Sequence, residues 1–170
     1  MIELILGGAR SGKSRHAEQL VIDSGKKKYY IATAQAHDEE MRSRIEIHQE
    51  RRSKDWIVIE QPFTLADTLS EHDHEDHCIL IDCLTLWLSN LLHSSDKNQW
   101  QQEKIKLLNK LTDLRGHILF VSNEVGCGIT PMGEITRQYV DELGWLHQDI
   151  ANTCDRVTLV TAGIPSVLKG

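Results

Sequence analysis

Short apolar runs alternate along the chain with longer segments of helical periodicity. Several of the runs are apolar at successive positions, which is typical of strands that are covered on both faces. The predicted strands are Ile2–Leu6, Tyr29–Thr33, Trp56–Glu60, Cys78–Asp82, Ile118–Ser122 and Arg156–Thr161. The predicted helices are Gly12–Asp23, Asp38–Arg52, Leu84–Leu92, Trp100–Leu114 and Pro131–Thr153, the last with a bend at Gly144.

The alternation of strands and helices predicts the fold class. Each strand–helix–strand unit needs a crossover connection, so we expect an α/β fold with a mostly parallel sheet and helices on both faces. The chain shows no internal repeat and no low-complexity tract, and residues 1–170 are expected to form a single domain. The polar segment Leu92–Gln99 is the part that we expect to be flexible.

Composition narrows the function classes. The 170 residues carry a net charge of −6 and no extended basic run, which argues against a nucleic-acid partner. The four cysteines form no C-x-x-C pair, so we expect reduced thiols and a cytoplasmic protein. No apolar run of 18 residues is present, and no membrane span is predicted.

The first strand leads into a glycine-rich segment that fits the phosphate-binding pattern G-x-x-x-x-G-K-[ST]. A helical pattern follows it, as this motif requires. Such a loop turns its backbone N–H groups toward a phosphate. Its lysine reaches the β- and γ-phosphates and its serine ligates Mg²⁺. This segment, called the phosphate loop below, consists of Gly7, Gly8, Ala9, Arg10, Ser11, Gly12, Lys13 and Ser14.

Two acidic residues follow other predicted strands. Asp82 ends Cys78–Asp82, where a carboxylate could hold a water of Mg²⁺ or cap the next helix, and we favour the metal role. Glu124 follows Ile118–Ser122 and is therefore expected at the carboxyl edge of the sheet, where ligands bind. The glycine-rich stretch after it, 126–131, is equally compatible with a substrate loop and a tight connection.

The predicted helix Asp38–Arg52 carries one notable histidine. Helical spacing places Arg44 one turn before His48, and Arg51 or Arg52 one turn after it. Guanidinium groups bind phosphates and disfavour a protonated imidazole, so a neutral His48 could attack phosphorus. The spacing alone nevertheless favours an exposed histidine on a solvated helix.

A second histidine group invites a metal hypothesis. His72, His74 and His77 alternate with acidic residues just before the strand that ends at Asp82. The segment has no evident helical face or turn that would order a ligand shell. We therefore interpret it as a solvated acidic loop.

Several separated segments, taken in order, resemble a known family. They are LILGGARSGKSRHAEQL, YIATAQ, DEEMRSRIEIHQERR, ILIDCLT and VSNEVGCGITP. Together they resemble the bifunctional adenosylcobinamide kinase / adenosylcobinamide-phosphate guanylyltransferase family of cobalamin biosynthesis. The resemblance runs from the first strand to the last.

The resemblance implies a RecA-like P-loop fold, a homotrimer and two reactions. A nucleoside triphosphate, ATP or GTP, phosphorylates adenosylcobinamide. GTP then donates GMP to a histidine, and adenosylcobinamide phosphate takes up the GMP to give adenosylcobinamide-GDP. The resemblance implies two catalytic residues, namely the nucleophile His48 and Lys13 of the phosphate loop. It also implies a set of nucleotide-contacting positions beyond the phosphate loop, namely Ala32, Thr33, Ala34, Gln49, Glu50, Arg51, Arg52, Glu60 and Asp82.

Three other functions compete. A single-function P-loop kinase for a small metabolite would use the phosphate loop and Asp82 but would not need His48. A GTP-dependent switch would read guanine through N-K-x-D, and the Asn123-Glu124 pair lacks the required lysine. A RecA-like nucleic-acid motor is disfavoured by the acidic balance of the chain.

Overall fold

The computed structural model describes residues 1–35, 55–129 and 132–170. Within these ranges it contains seven strands and five helices. The strands are β1 (Ile2–Gly7), β2 (Lys27–Ala32), β3 (Trp56–Glu60), β4 (His77–Asp82), β5 (His117–Asn123), β6 (Arg156–Thr161) and β7 (Ile164–Lys169). The helices are α1 (Lys13–Asp23), α2 (Leu65–His72), α3 (Leu84–Leu92), α4 (Gln99–Leu111) and α5 (Glu134–Thr153).

All seven strands form one sheet in the order β3-β2-β4-β5-β1-β6-β7. Every pair is parallel except β6 and β7, which are antiparallel. The order confirms the expected α/β architecture. It also places β5 between β1, which leads into the phosphate loop, and β4, which ends at Asp82.

Alternate side chains of the central strands pack on opposite faces of the sheet. On one face Leu4, Phe120 and Ile79 pack with residues of α2, α3, α4 and α5. On the other face Ile5 and Leu119 pack with residues of α1. Helices therefore cover both faces, which explains why the sequence of these strands is apolar at successive positions.

The six predicted strands are all present. Trp56–Glu60 and Arg156–Thr161 have the predicted bounds, and the other four shift by one or two residues at one or both ends. Among the predicted helices, Leu84–Leu92 has the predicted bounds and Gly12–Asp23 begins one residue later, at Lys13, whereas two others differ more. The helix predicted over Trp100–Leu114 ends at Leu111, and the one predicted from Pro131 begins at Glu134 and continues through Gly144. The prediction of a helix over Asp38–Arg52 lies outside the described residues. The segment predicted to be flexible, Leu92–Gln99, is the connection between α3 and α4.

Two elements were not predicted. Helix α2 is short, and its four buried residues, Leu65, Ala66, Thr68 and Leu69, give a weak periodic signal. Strand β7 is exposed at all six positions and has only β6 as a partner, so it lacks the apolar run of a covered strand.

A buried ion pair lies at the amino edge of the sheet. The Nε2 atom of His117, at the start of β5, is 3.0 Å from Oε1 of Glu3 in β1, and Glu3 is only 3% exposed. Hydrogen bonds to Cys78 and to Glu3 raise the pKa of His117 to about 9, against the opposing effect of burial. The pair is far from the carboxyl edge and serves the fold.

This pair predicts a pH dependence of stability. Because the pKa of His117 is higher in the folded state, its contribution is complete below about pH 6.5 and is lost as the pH rises through about 9. A pKa shift of this size corresponds to a contribution of at most about 3 kcal/mol to the free energy of unfolding. Partial solvent exposure of the pair reduces this contribution to roughly 1–2 kcal/mol. Glu3→Gln should therefore destabilise the protein at pH 7 and less at pH 10.

The measurement is the free energy of unfolding in urea across this pH range. His93→Asn, at an exposed histidine after α3, is the matched control and should leave the wild-type pH profile unchanged. A Glu3→Gln variant whose profile parallels that of the wild type would contradict the assignment.

Candidate functional site

The phosphate loop joins β1 to α1 by a turn that glycine makes possible. Gly12 has φ +96, a left-handed conformation that side chains rarely adopt. At Gly7, an added Cβ would lie 2.4 Å from Ser11 Oγ and 2.5 Å from the Val160 carbonyl oxygen. Gly163, in the turn between β6 and β7, donates its N–H to the Ser11 carbonyl at 2.7 Å. The loop is thus packed tightly against β6 and the turn that follows it. Gly8–Arg10 remain exposed.

Helix α1 begins directly at the loop and has an open N-terminus. No side chain of the described residues caps it, and its first turn contains no acidic residue. Its first N–H groups therefore keep their capacity to bind an anion, and the helix dipole favours negative charge there.

Lys13 is buried at this helix terminus, with only 8% of its surface exposed. Its Nζ atom donates to the Gly8 carbonyl at 3.2 Å, across the loop. Burial lowers the pKa of Lys13, while the nearby carboxylate of Asp82 and the thiol of Cys83 oppose this effect. A phosphate bound in the loop would supply a negatively charged partner for the Lys13 ammonium.

Asp82 lies at the carboxyl end of β4 and is half-buried. Its carboxylate opposes the lowering of the Lys13 pKa that burial causes, although β5 lies between β1 and β4. The phosphate loop and Asp82 follow the carboxyl ends of the two parallel strands that flank β5, the arrangement expected around a metal-bound phosphate.

A buried threonine fixes the backbone after Asp82. The Thr33 hydroxyl donates to the Cys83 carbonyl and accepts from the Cys83 N–H, both at 2.8 Å. Thr33 is fully buried. The geometry thus gives its side chain a positioning role at the end of β4, and the contact of Thr33 with the nucleotide that the resemblance implies stays a prediction.

Cys83 is a buried thiol at the start of α3. Burial, followed by the charge of Asp82, raises the pKa of Cys83 to about 11, so the group is protonated at neutral pH. Its Sγ atom is 2.7 Å from Oγ1 of Thr85. All four cysteines are free, as expected.

The remaining predicted positions on β2 and β3 line the same edge. Ala32 is in register with Asp82 on one side and with Glu60 on the other. Glu60 is exposed, whereas Ala32 and Ala34 are half-buried. These residues lie along the carboxyl edge on the side of β4 that is opposite to the phosphate loop.

Glu124 is attached to the phosphate loop through its backbone, because its N–H donates to the Gly7 carbonyl at 3.0 Å. Its Oε1 atom accepts from the Gly126 N–H at 2.8 Å, and Oε2 lies 4.0 Å from Nδ1 of His147. Nε2 of His147 is 2.7 Å from the Ser122 hydroxyl. Burial lowers the pKa of His147, with Glu124 opposing, so the imidazole is neutral at pH 7.

His147 could not be singled out from the sequence, because it lies on α5, 25 positions from its hydrogen-bond partner Ser122. The loop that follows Glu124 exposes apolar side chains, among them Val125 and Ile129. This loop offers apolar contact area beside the phosphate loop.

Two oxygen-bearing side chains fit a magnesium ion. The hydroxyl of Ser14 and the carboxylate of Asp82 are hard ligands of the type that Mg²⁺ prefers. Among the described residues no group of three or more His, Cys, Asp or Glu side chains could hold a metal. A Mg²⁺ ion would therefore depend on phosphate oxygens and water for most of its ligands, which is its usual behaviour in nucleotide sites.

The histidine-rich loop before β4 is a structural connection. His77 Nδ1 is 2.8 Å from the His72 carbonyl, and Tyr29 packs beside both rings. Asp73 accepts from the N–H groups of Arg115 and Gly116, so this carboxylate holds the turn before β5. The interpretation as a solvated loop is therefore wrong for Asp73, whose side chain is only 6% exposed.

The second predicted centre lies outside the described residues. It comprises the proposed nucleophile and its neighbours, namely Arg44, His48, Gln49, Glu50, Arg51 and Arg52. The described ranges resume at Asp55, directly before β3, so this segment connects β2 to β3.

Comparison with known proteins identifies relatives along the whole chain. The family model described as cobinamide kinase / cobinamide phosphate guanyltransferase matches residues 3–168. The bifunctional adenosylcobalamin biosynthesis protein CobP of Pseudomonas aeruginosa is 54% identical, covering 100% of this chain and 98% of that protein. The bifunctional adenosylcobalamin biosynthesis protein CobU of Escherichia coli is 34% identical over 99% of this chain and 100% of its own length.

Solved structures show the same fold at low identity. The RadB recombinase has a TM-score of 0.54 and 16% identity, covering 93% of this chain and 73% of its own. The flagellar accessory protein FlaH of Methanocaldococcus jannaschii has a TM-score of 0.53 and 12% identity, covering 99% and 77%. These matches confirm the RecA-like P-loop fold. In the described part of the chain, no helix has the length and apolar character needed to cross a membrane.

Proposed function

The chain belongs to the cobinamide kinase / cobinamide phosphate guanyltransferase family, and from this we propose that it catalyses both reactions within one domain, residues 1–170. It phosphorylates adenosylcobinamide and then transfers GMP from GTP to the product, giving adenosylcobinamide-GDP and pyrophosphate. The observation that carries this proposal is 54% identity to a bifunctional adenosylcobalamin biosynthesis protein over the full chain, together with an intact phosphate loop.

The phosphate loop performs the kinase reaction. The acceptor hydroxyl oxygen forms a bond to the γ-phosphorus of ATP or GTP, the bond from that phosphorus to the β-phosphate oxygen breaks, and the hydroxyl proton leaves. This direct transfer depends on positioning and on neutralising charge rather than on a protein nucleophile. The N–H groups at the start of α1 hold the phosphates, and Lys13 exchanges its bond to the Gly8 carbonyl for phosphate oxygens.

Magnesium fits the same edge of the sheet. Ser14 and Asp82 would hold it, directly or through water, and the ion would neutralise charge on the phosphates. Asp82 then has two tasks, because it also favours the charged form of Lys13.

Guanylyl transfer requires a second centre, which we assign to the segment before β3. A neutral His48 attacks the α-phosphorus of GTP, an N–P bond forms and pyrophosphate leaves. The phosphate of adenosylcobinamide phosphate then attacks the same phosphorus and releases the histidine. Arg44, Arg51 and Arg52 supply charge for the triphosphate. This step is supported by the family to which the chain belongs.

The proposed nucleotide contacts follow the two centres. The phosphate loop residues Gly7, Gly8, Ala9, Arg10, Ser11, Gly12, Lys13 and Ser14 bind phosphates. Ala32, Thr33, Ala34, Glu60 and Asp82 are the further proposed contacts at the carboxyl edge of the sheet. Gln49, Glu50, Arg51 and Arg52 are those proposed in the segment before β3.

We also propose a cytoplasmic homotrimer without a nucleic-acid partner, following the family resemblance and the net charge of −6. Sedimentation equilibrium tests the oligomeric state, since a mass of three chains supports the proposal and a mass of one or two chains rejects it.

Asp82→Asn tests the metal role. The substitution keeps the size of the side chain but removes the charge. The alternative of a helix cap is not met, since Cys83 is the N-cap residue of α3. Phosphorylation of adenosylcobinamide should fall about 100-fold at low Mg²⁺, and a large excess of Mg²⁺ should restore part of it. The measurement is the rate of adenosylcobinamide phosphorylation by the variant and by the wild type over a Mg²⁺ titration. An unchanged rate with an unchanged Mg²⁺ dependence would reject the metal role of Asp82.

His48→Ala separates the two activities. It should abolish covalent labelling of the protein by α-labelled GTP and the formation of adenosylcobinamide-GDP, while phosphorylation of adenosylcobinamide continues. The label on the wild-type protein should be lost in acid and stable in base, as an N–P bond is. His48→Asn is the control that keeps hydrogen bonding without nucleophilicity.

A labelled His48→Ala variant would show that another residue is the nucleophile, with His37 and His16 as the next candidates. A wild-type protein that phosphorylates adenosylcobinamide but never becomes labelled would instead be a single-function kinase.

A further inference from the structure

The segment between β5 and α5 exposes large apolar side chains that the site described so far does not use. Its sequence is equally compatible with a substrate loop and a tight connection. Ile129 and Met132 are 99% and 94% exposed, so they contribute nothing to the core. Together with the exposed Val125 and Ile135 they form a set of four, called the apolar loop surface below. Large exposed apolar groups that lie close together are typical of binding surfaces.

The two flanks of this segment are fixed at the carboxyl edge of the sheet. At its start, the N–H of Glu124 donates to the Gly7 carbonyl at 3.0 Å, and the Glu124 carboxylate accepts from the Gly126 N–H at 2.8 Å. Beyond its end, the Tyr139 hydroxyl in α5 donates at 3.0 Å to the carbonyl of Thr85, just after β4. The segment therefore leaves the sheet beside the phosphate loop, and the helix that follows it is held near the end of β4.

Gly128 gives a second indication that a ligand lies on this segment. Gly128 is not among the glycines with positive φ, so its backbone conformation suits any residue. A Cβ added to Gly128 would meet no described atom within 4 Å, so packing does not require glycine either. Glycine is also used where a ligand approaches the backbone closely. A ligand on the segment accounts for both the missing side chain at Gly128 and the exposed side chain at Ile129.

The chemistry of the two substrates indicates which of them this ligand is. The phosphates of the nucleotide are polar and have their place at the N–H groups of α1. The acceptor has to place its hydroxyl at the γ-phosphate, above the phosphate loop. The rest of the acceptor, a corrin macrocycle with a broad apolar face, then extends over the carboxyl edge. Apolar side chains beside the phosphate loop match this macrocycle and not the triphosphate.

We propose that the apolar loop surface binds the corrin ring of adenosylcobinamide, with Ile129 and Met132 as its main contacts and Gly128 as the point of close approach. This inference rests on the proposed phosphorylation reaction. The contacts are remote from the phosphorus and are the same before and during the transfer. They therefore contribute to the binding of the acceptor and not to the chemical step.

The test uses Ile129→Ser and Met132→Ser, which remove apolar contact area, and Gly128→Val, which adds a side chain in open space. Ile22→Ser is the matched control, because Ile22 is an exposed isoleucine in the last turn of α1, at the opposite edge of the sheet. Equilibrium dialysis measures the affinity for adenosylcobinamide through its visible absorbance. Titration calorimetry measures the affinity for a non-hydrolysable ATP analogue, and steady-state kinetics give KM and kcat for phosphorylation.

Each of the three variants should bind adenosylcobinamide about 10-fold more weakly and show a KM raised by about the same factor. Their kcat at saturating acceptor, their affinity for the ATP analogue and their free energy of unfolding should equal those of the wild type. The Ile22→Ser control should match the wild type in every quantity.

Wild-type affinity for adenosylcobinamide in both serine variants would overturn the inference, and wild-type affinity in Gly128→Val would remove Gly128 from the surface. Equal losses of affinity for adenosylcobinamide and for the ATP analogue would show that the segment only supports the phosphate loop, which also overturns it. A changed mass in sedimentation equilibrium with unchanged acceptor affinity would assign the surface to a contact between copies of the chain instead.

The failure of the proposed function is distinguishable from these outcomes. A wild-type protein that binds adenosylcobinamide without phosphorylating it overturns the proposed function, and the dialysis of the variants then decides the corrin contact by itself. A wild-type protein that phosphorylates adenosylcobinamide, with serine variants of unchanged affinity and KM, overturns this inference alone. A wild-type protein that does not bind adenosylcobinamide overturns both.

Discussion

The tight packing of backbone around Gly7 and Gly12 is the constraint on which the rest of the site depends. No side chain fits at Gly7, where Ser11 and the Val160 carbonyl lie within 2.5 Å of a Cβ position. Gly163 holds the loop from the turn between β6 and β7, which gives the otherwise exposed strand β7 a role in the site. This packing places the start of α1, and with it Lys13, above the carboxyl edge of the sheet.

The charge of Lys13 then determines what surrounds it. A buried ammonium is unfavourable unless negative charge is near, and Asp82 supplies part of it. Asp82 is positioned in turn by the Thr33 hydroxyl, which binds both the N–H and the carbonyl of Cys83. From Cys83 the contacts continue through Thr85 to Asn123, so one connected set of polar groups links β2, β4 and β5 beside the loop.

Sequence alone predicted the parts of this site that follow local rules. The phosphate loop is contiguous, and its glycines, lysine and serine are required at a fixed spacing. The segment GGARSGKS was therefore enough to predict it. Asp82 was predicted because it ends an apolar strand. His147 and the role of Thr33 could not be predicted, because their partners lie 25 and 50 positions away and depend on strand order. Strand β7 was missed since its burial pattern is not that of a strand in the core. The helix with His48 lies outside the described residues and stays a prediction.

The central claim is that Lys13, buried against its own loop, is the cation that receives the transferring phosphate. The rate of adenosylcobinamide phosphorylation by Lys13→Ala, with its unfolding free energy, tests this most directly. Because the buried charge costs desolvation, the variant should be as stable as the wild type or more stable, while the rate should fall at least about 100-fold. A stable variant that phosphorylates at the wild-type rate would contradict the account.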